Sequence, residues 1–172
     1  MALVTATREV RFPVSEVWTV LDDFGGIHRW SAGVEASPII EGTPSSGVGA
    51  ERNCALYDGN HILERVTESR ENEKLSIEVV ETSMPMKSAV AEFTLQPTAA
   101  GGTRVTMSMD YIVKFGPLGQ LMDLMMMKRM MNATLGRILG ALDHHLATGE
   151  LVGKDWTPSA ATAPVATTAG SL

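Results

Sequence analysis

The sequence predicts an α+β fold in which a curved antiparallel sheet of seven strands wraps around one long C-terminal helix. Side-chain character alternates with a period of about two over residues 3–12 and again over 34–113. Beyond these strands, apolar residues recur every three or four positions up to residue 148, as they do on one face of a helix. Turn signals that divide the second region into six strands lie at 42–47, 58–59, 70–74, 83–85 and 98–102.

Two short helices are predicted after the first strand. Pro13 ends that strand, and the segment SEVWTVLDDF (15–24) then carries apolar residues on one helical stripe. A Gly-Gly pair ends this helix, and IHRWS (27–31) predicts a second short helix. The chain therefore forms a small helical hairpin before the sheet resumes at Val34.

The strongest turn signal is the dipeptide Asp-Gly at 58–59. It predicts a two-residue type I′ turn, because both central residues of that turn need a positive φ. In the resulting register Asn53 lies opposite Glu64. Arg52 and Arg65 pair as like charges on the other face and turn toward water. The face of Glu64 then also carries Ala55, Tyr57, Ile62 and Val66.

The last helix is predicted to begin near residue 116 and to run to about Thr148. Spanning about thirty residues at about 1.5 Å each, it is roughly 45 Å long, enough to cross the whole domain. After it the chain becomes rich in Ala, Thr, Pro and Ser. The sequence therefore predicts one domain over 1–148 and a disordered low-complexity tail over 149–172.

Composition and charge exclude several classes of function. The formal net charge of −6 and the isoelectric point near 5.2 argue against nucleic-acid binding, which relies on clustered Lys and Arg. Cys54 is the single cysteine, so no intramolecular disulfide is possible, and no CxxC or Cys/His spacing suggests a zinc site. We expect no cofactor. No apolar run reaches the ~18 residues of a membrane span. We expect a soluble cytoplasmic protein, monomeric or homodimeric.

Three segments carry a resemblance to a known superfamily: VSEVWTVLDDFGGIHRW (14–30), GVGAERNCALYDGNHILERV (47–66) and GTRVTMSMDY (102–111). In their order and spacing they resemble the helix-grip (SRPBCC) superfamily. Its members include START domains, birch-pollen allergens, abscisic acid receptors and bacterial proteins similar to polyketide cyclases and dehydrases. The resemblance covers residues 3–148, and it implies a mostly apolar cavity between the sheet and the long helix.

The resemblance also implies which residues line that cavity. For the last strand it points Ser108 and Asp110 inward. Plain apolar alternation instead turns the other face of that strand inward, and both interpretations stay open. The residues of that other face are Val105, Met107, Met109 and Tyr111. The pocket-lining positions of the receptor-like members fall on Glu64, Ile77, Val79, Met86, Ala89 and Ala91.

Residues 122–131, MDLMMMKRMM, hold six of the chain's eleven methionines. Thioether side chains adapt to irregular shapes, so Met127 and Met131 are candidates to line a deformable cavity mouth near Met86. Filling of an ordinary core explains the methionines equally well. Because the six cannot all face inward, some are expected at the surface, where contact with a second copy or with a membrane surface is a lesser option.

Glu64 is the main candidate for chemistry, because a carboxylate on an apolar concave face must be paired, hydrated or protonated. It could anchor a ligand hydroxyl or carbonyl with Asn53 and Tyr57 beside it, or it could act as a general base. The alternative is a structural acid that Asn53 or Arg8 satisfies.

Two further candidates lie in the helical hairpin, next to where the cavity should open. Trp30 either stacks on a ligand or packs against the sheet. His28 either moves protons near neutral pH or is simply solvated.

The first hypothesis from these observations is that the protein binds a small polyketide-like, lipid-like or aromatic molecule. The alternative is a polyketide cyclase or dehydratase that uses Glu64 for proton transfer, assisted by Tyr57 or His28. A scaffold role through an exposed methionine face is the third hypothesis.

Overall fold

The structure is a computed structural model that describes residues 2–114 and 120–158, with the backbone alone over 120–126. The predicted seven-stranded α+β fold is confirmed. The predicted start of the last helix near residue 116 lies outside the described residues. In chain order the elements are β1 (Ala2–Val10), α1 (Val14–Asp22), a 3₁₀-helix (Phe24–Arg29), β2 (Val34–Ala36), β3 (Glu51–Leu56), β4 (His61–Arg70), β5 (Lys74–Thr82), β6 (Met86–Pro97), β7 (Thr103–Val113) and α2 (Gln120–Thr148).

The seven strands form one antiparallel sheet in the order β1-β7-β6-β5-β4-β3-β2. Each neighbouring pair from β2 to β7 is consecutive in the chain, as short turns require, and only β1 crosses over to pair with β7. The helical hairpin that follows β1 connects it to β2, at the opposite edge of the sheet. The sheet is curved, and its inner face carries the buried apolar residues that meet α2.

The long helix α2 packs on the sheet through one apolar stripe. Met131, Leu135, Leu139 and Leu142 are buried on this stripe and belong to the same apolar cluster as the inner face of the sheet. Most of the close approaches between the α2 backbone and the sheet are to β1, and fewer are to β7. An ion pair of 2.8 Å between Arg8 Nε and Asp143 Oδ2 joins β1 to the helix.

The β3–β4 hairpin differs from its predicted form by one residue. Leu56 N–H donates to Asn60 O at 2.8 Å, which leaves a three-residue loop rather than the two-residue loop expected from Asp-Gly. Gly59 alone has a positive φ, of 87°, as in a type I turn followed by a glycine bulge. The predicted register is therefore wrong: Arg52 pairs with Glu64 and Asn53 pairs with Leu63.

Strand β7 follows apolar alternation. Val105, Met107 and Tyr111 are buried on the inner face, and Met109 packs against the same cluster. The orientation implied by the resemblance, with Ser108 and Asp110 inward, is not found. Asp110 pairs with Val90 and Leu3, both of which are exposed on the outer face.

The chain after α2 folds back onto the domain. Val152 is buried against Ala32 and Ala141, and its N–H donates to Arg29 O at 2.9 Å. Trp156 packs on this small cluster, and the carbonyl oxygen of Trp156 accepts a hydrogen bond of 2.9 Å from Arg137. The tail predicted to start at residue 149 thus includes a packed segment, while 159–172 lie outside the described residues.

Candidate functional site

The inner face of the sheet is apolar, and its side chains are small at the centre of β6. Ala89 and Ala91 are buried there, and Ala91 pairs with Ile77 of β5 and Met109 of β7. Six of the residues predicted to line a cavity lie in one apolar cluster with α2, and two more pack against it. They are Trp30, Ile77, Met86, Ala89, Ala91 and Met131, which are buried, and Val79 and Met127, which are half-buried.

Tyr111 stands on this face between two alanines. Its backbone pairs with Ala2 of β1 on one side and with Ala89 of β6 on the other. The ring is buried, and its hydroxyl has no hydrogen-bond partner among the described residues. Burial raises the pKa of Tyr111 above its ordinary value, so the phenol stays neutral and able to donate a hydrogen bond.

Trp30 packs against the sheet farther along β6. Its indole ring meets the Phe93 ring edge-on, with centroids 6.3 Å apart and an interplanar angle of 80°. The side chain is buried, and its Nε1 atom also lacks a hydrogen-bond partner within the described part of the chain. Packing against the sheet, one of the two roles considered for Trp30, is therefore observed, but it leaves the N–H group unused.

A buried ion pair occupies the inner face of β3 and β4. Arg52 Nε donates to Glu64 Oε2 at 2.6 Å, and Arg52 Nη1 donates to Phe24 O at 2.7 Å. The guanidinium carbon also lies 3.9 Å from the centre of the Phe24 ring, within range of a cation–π contact. The partner of Glu64 is thus Arg52, which sequence reasoning placed in water, rather than Asn53 or Arg8.

Cys54 completes this cluster. Its Sγ lies 3.5 Å from the same Glu64 Oε2 atom that Arg52 contacts. Burial, together with the negative charge of Glu64, raises the pKa of the Cys54 thiol to about 12. The thiol therefore remains protonated at neutral pH and cannot serve as a nucleophile there.

The other predicted catalytic residues do not meet Glu64. Tyr57 lies in the β3–β4 loop, roughly 16 Å along the strand from the residue that pairs with Glu64. His28 is exposed in the 3₁₀-helix, and its Nδ1 lies 2.8 Å from Ser37 Oγ and 3.0 Å from Gly25 O. Within the described residues, no hydrogen bond or ion pair joins any two of Glu64, Tyr57 and His28.

Two further residues predicted to bind a ligand, Asn53 and Ile62, lie outside the apolar cluster. Asn53 is exposed, because the corrected register turns it to the outer face with Leu63. Ile62 stays on the face of Glu64 but is only half-buried, opposite Cys54. The shift of one residue thus exchanges Asn53 for Arg52 and Cys54 on the inner face.

The inward position of Arg52 was not predicted, although the sequence contains a signal for it. The two-residue loop placed Arg52 opposite Arg65, and like charges directly opposite each other destabilise a sheet. The register found pairs Arg52 with Glu64 and Arg65 with Glu51, so that each cation faces a carboxylate. Charge complementarity across the hairpin therefore discriminates between the two loop lengths.

No group of three or more His, Cys, Asp or Glu side chains suited to a metal ion occurs in 2–114 and 127–158. No helix in the described part of the chain is long and apolar enough to cross a membrane.

A curved seven-stranded antiparallel sheet that wraps one long C-terminal helix defines the helix-grip class, to which START-like proteins belong. The chain belongs to the polyketide cyclase/dehydrase and lipid transport family, whose model matches residues 1–147. No curated protein has a matching sequence.

Solved structures of distant sequence share the fold. A START superfamily protein from Mycobacterium smegmatis aligns with a TM-score of 0.70 at 17% identity, over 84% of this chain and 97% of that chain. A protein from Thermus thermophilus gives 0.72 at 16% identity, over 86% and 99%. A protein from Thermobifida fusca gives 0.67 at 23% identity, over 86% and 94%. These likenesses establish the fold alone.

Proposed function

We propose that this protein binds a small hydrophobic molecule, of polyketide, lipid or aromatic type, between the inner face of the sheet and α2. The observation that carries the proposal is the pair of alanines at the centre of β6. Ala89 and Ala91 are 1% and 5% exposed and face the side of the sheet that α2 covers. Side chains this small would leave space beneath the helix for a bound ligand.

The course of α2 supports the same proposal. Most of the close approaches between its backbone and the sheet are to β1 and β7, at one margin of the sheet, and among the described residues the strands from β3 to β6 have fewer. The middle strands therefore reach the helix mainly through their side chains. Because alanine is short, we expect room over β6, which the apolar surface of a guest molecule would fill.

Methionines supply the adaptable part of the proposed site. Met86 and Met131 are buried in the apolar cluster, and Met84 and Met127 are packed against it. Unbranched thioether side chains change rotamer at low cost and suit a flat or flexible guest. Met130 is exposed, in agreement with the expectation that the methionines do not all face inward.

Binding fits these contacts better than turnover does. A general acid or base must reach the substrate with a free lone pair or proton. Arg52 and Cys54 both lie against Glu64 Oε2, and neither Tyr57 nor His28 is bonded to Glu64 within the described residues. A polyketide cyclase or dehydratase, which the family description includes, would need the Arg52–Glu64 pair to open when substrate enters.

The proposal is tested by filling the space on β6. Ala91→Phe places a large ring on the inner face, and Val90→Phe places the same ring on the outer face of the same strand, where Val90 is 43% exposed. Binding of the neutral fluorophore N-phenyl-1-naphthylamine is titrated for both variants. We expect wild type and Val90→Phe to bind in the micromolar range, near −8 kcal/mol, and Ala91→Phe to bind at least about tenfold more weakly.

Urea unfolding of the same variants separates a cavity from a closed core. If the space exists, Ala91→Phe fills it and leaves the free energy of unfolding unchanged or higher. If the core is already closed, the added ring overpacks it and lowers that free energy by about 1–3 kcal/mol. The second outcome, or a wild-type protein that does not bind the fluorophore, overturns the proposal.

A further inference from the structure

Unpartnered polar atoms inside the domain point to a more specific ligand. Among the described residues, the buried side-chain atoms without a hydrogen-bond partner belong to four residues. Asn72 lies in the β4–β5 turn and Asp110 on the outer face of β7. The other two, Trp30 Nε1 and Tyr111 Oη, belong to side chains that are 3% and 2% exposed and lie in the apolar cluster.

Such atoms require an explanation. A buried N–H or O–H group that has left water without gaining a partner destabilises the fold, so most native structures contain few of them. At Tyr111, for example, a phenylalanine ring would fill nearly the same space without that cost. A group that is retained at a cost to stability is typical of a binding site.

The positions of the two groups define a span. Tyr111 stands beside Ala89, and Trp30 meets Phe93, four residues along the same strand. These positions on β6 are roughly 14 Å apart at about 3.4 Å per residue. Ala91 lies midway between them on the inner face. The residues that carry the two polar groups therefore lie on either side of Ala91, one of the two alanines on which the proposed site rests.

The chemistry of the two groups is also defined. The indole N–H of Trp30 can only donate a hydrogen bond, whereas the Tyr111 hydroxyl can donate and accept. Both are neutral, so they suit uncharged oxygen acceptors better than a carboxylate or a cation. A carbonyl or ether oxygen accepts from either group.

We infer that Tyr111 and Trp30 determine ligand specificity; this inference rests on the proposed function. The Tyr111 O–H and the Trp30 N–H donate hydrogen bonds to oxygen atoms of the ligand. The ligand is an elongated, uncharged hydrophobic molecule that carries keto or ether groups. Pure hydrocarbon ligands fit the same apolar surface but leave both donors unpaired. The protein therefore discriminates by oxygen content rather than by size alone.

The test uses two probes of nearly equal shape, 2-acetylnaphthalene and 2-ethylnaphthalene, which compete with N-phenyl-1-naphthylamine. We expect wild type to prefer the ketone by about tenfold, or about 1.4 kcal/mol. Tyr111→Phe removes the hydroxyl alone, and Trp30→Phe removes the indole N–H together with part of the ring system. We expect at least one of these variants to lose most of the preference while its affinity for 2-ethylnaphthalene stays within about twofold.

Thr106→Val is the matched control, because it removes a hydroxyl from the outer face of β7. It should keep the tenfold preference. The melting temperature of Tyr111→Phe should be unchanged or higher, because the lost hydroxyl has no partner in the free protein.

A ketone preference that survives in both inner-face variants overturns the inference and leaves the proposed function intact. So does a wild-type protein that binds both probes equally. A wild-type protein that binds neither probe nor the fluorophore overturns the proposed function, and this inference with it.

Discussion

Arg52 and Glu64 face each other across the β3–β4 hairpin and form an ion pair of 2.6 Å on the inner side of the sheet. The Arg52 side chain is 4% exposed and that of Glu64 is 15% exposed. Two buried charges are costly unless each is compensated. Arg52 meets this condition through Glu64, Phe24 O and the Phe24 ring. The pair therefore fixes the hairpin against the 3₁₀-helix.

Replacing Glu64 by glutamine should destabilise the protein, because Arg52 would remain buried without its counter-charge. We expect the free energy of unfolding in urea to fall by about 2–4 kcal/mol, at or below the range for breaking fully buried pairs, since Glu64 retains some solvent contact. The matched control is Glu51→Gln, which breaks the more exposed pair with Arg65 and should cost less than about 1 kcal/mol.

The double variant Glu64→Gln with Arg52→Met removes both charges and should recover more than half of the loss. Equal losses for Glu64→Gln and Glu51→Gln would contradict the burial of the pair. Affinity of Glu64→Gln for N-phenyl-1-naphthylamine equal to that of wild type would remove Glu64 from the ligand site.

Cys54 should be unreactive in the folded protein. Its pKa of about 12 leaves only about one thiol in ten thousand ionised at pH 8, and the side chain is buried. We expect Ellman's reagent to label less than a few per cent of the native protein in an hour at pH 8, and all of it in denaturing urea. Rapid labelling of the native protein would contradict the buried position.

The same pKa predicts a loss of stability in alkali. Above pH 9.0 the unfolded thiol loses its proton, whereas the folded thiol keeps it up to about pH 12. The folded state then binds more protons, so the free energy of unfolding falls as pH rises, by up to about 1.4 kcal/mol per pH unit. Urea titrations between pH 9 and 11 should give a smaller slope for Cys54→Ala, and equal slopes would refute the assignment.

The fold was predictable because its strands and its last helix are long, and because the hydrophobic pattern has a different period in strands than in helices. Alternation marked the strands, Gly and Pro marked their ends, and a stripe of period 3.6 marked α2. Alternation also oriented β7 correctly, because Val105 and Tyr111 favour burial more than Ser108 does. The resemblance oriented that strand wrongly, since a distant relative preserves the fold more faithfully than the register of one strand.

The candidate site was less predictable because it depends on the loop length of one turn. Asp-Gly occurs both in two-residue turns and in three-residue turns with a glycine bulge, and the choice moves every side chain of β3 to the other face. Asn53, which was predicted inward, lies outside for this reason, and Arg52 lies inside. The unpartnered atoms of Trp30 and Tyr111 depend on three-dimensional neighbours that no periodic pattern encodes.

Gly59 should be essential to this turn. Its φ of 87° lies in the left-handed region, where a Cβ atom costs about 1–2 kcal/mol. Gly59→Ala should therefore lower the free energy of unfolding by that amount. Gly136→Ala is the control of opposite sign: Gly136 is inside α2 with nothing within 4 Å of an added Cβ, so alanine should stabilise the helix by about 0.5–1 kcal/mol. Equal shifts for the two variants would contradict the bulged turn.

The segment after α2 should contribute to stability through a single buried side chain. Val152 is 1% exposed while its neighbour Leu151 is 73% exposed, so the two residues form a matched pair. Val152→Ala removes two methyl groups from the contact with Ala32 and Ala141 and should lower the free energy of unfolding by about 1.5–3 kcal/mol. Leu151→Ala should change it by less than about 0.5 kcal/mol. If urea unfolding shows both variants equal to wild type, the segment does not dock on the domain in solution, and the boundary predicted at residue 148 holds.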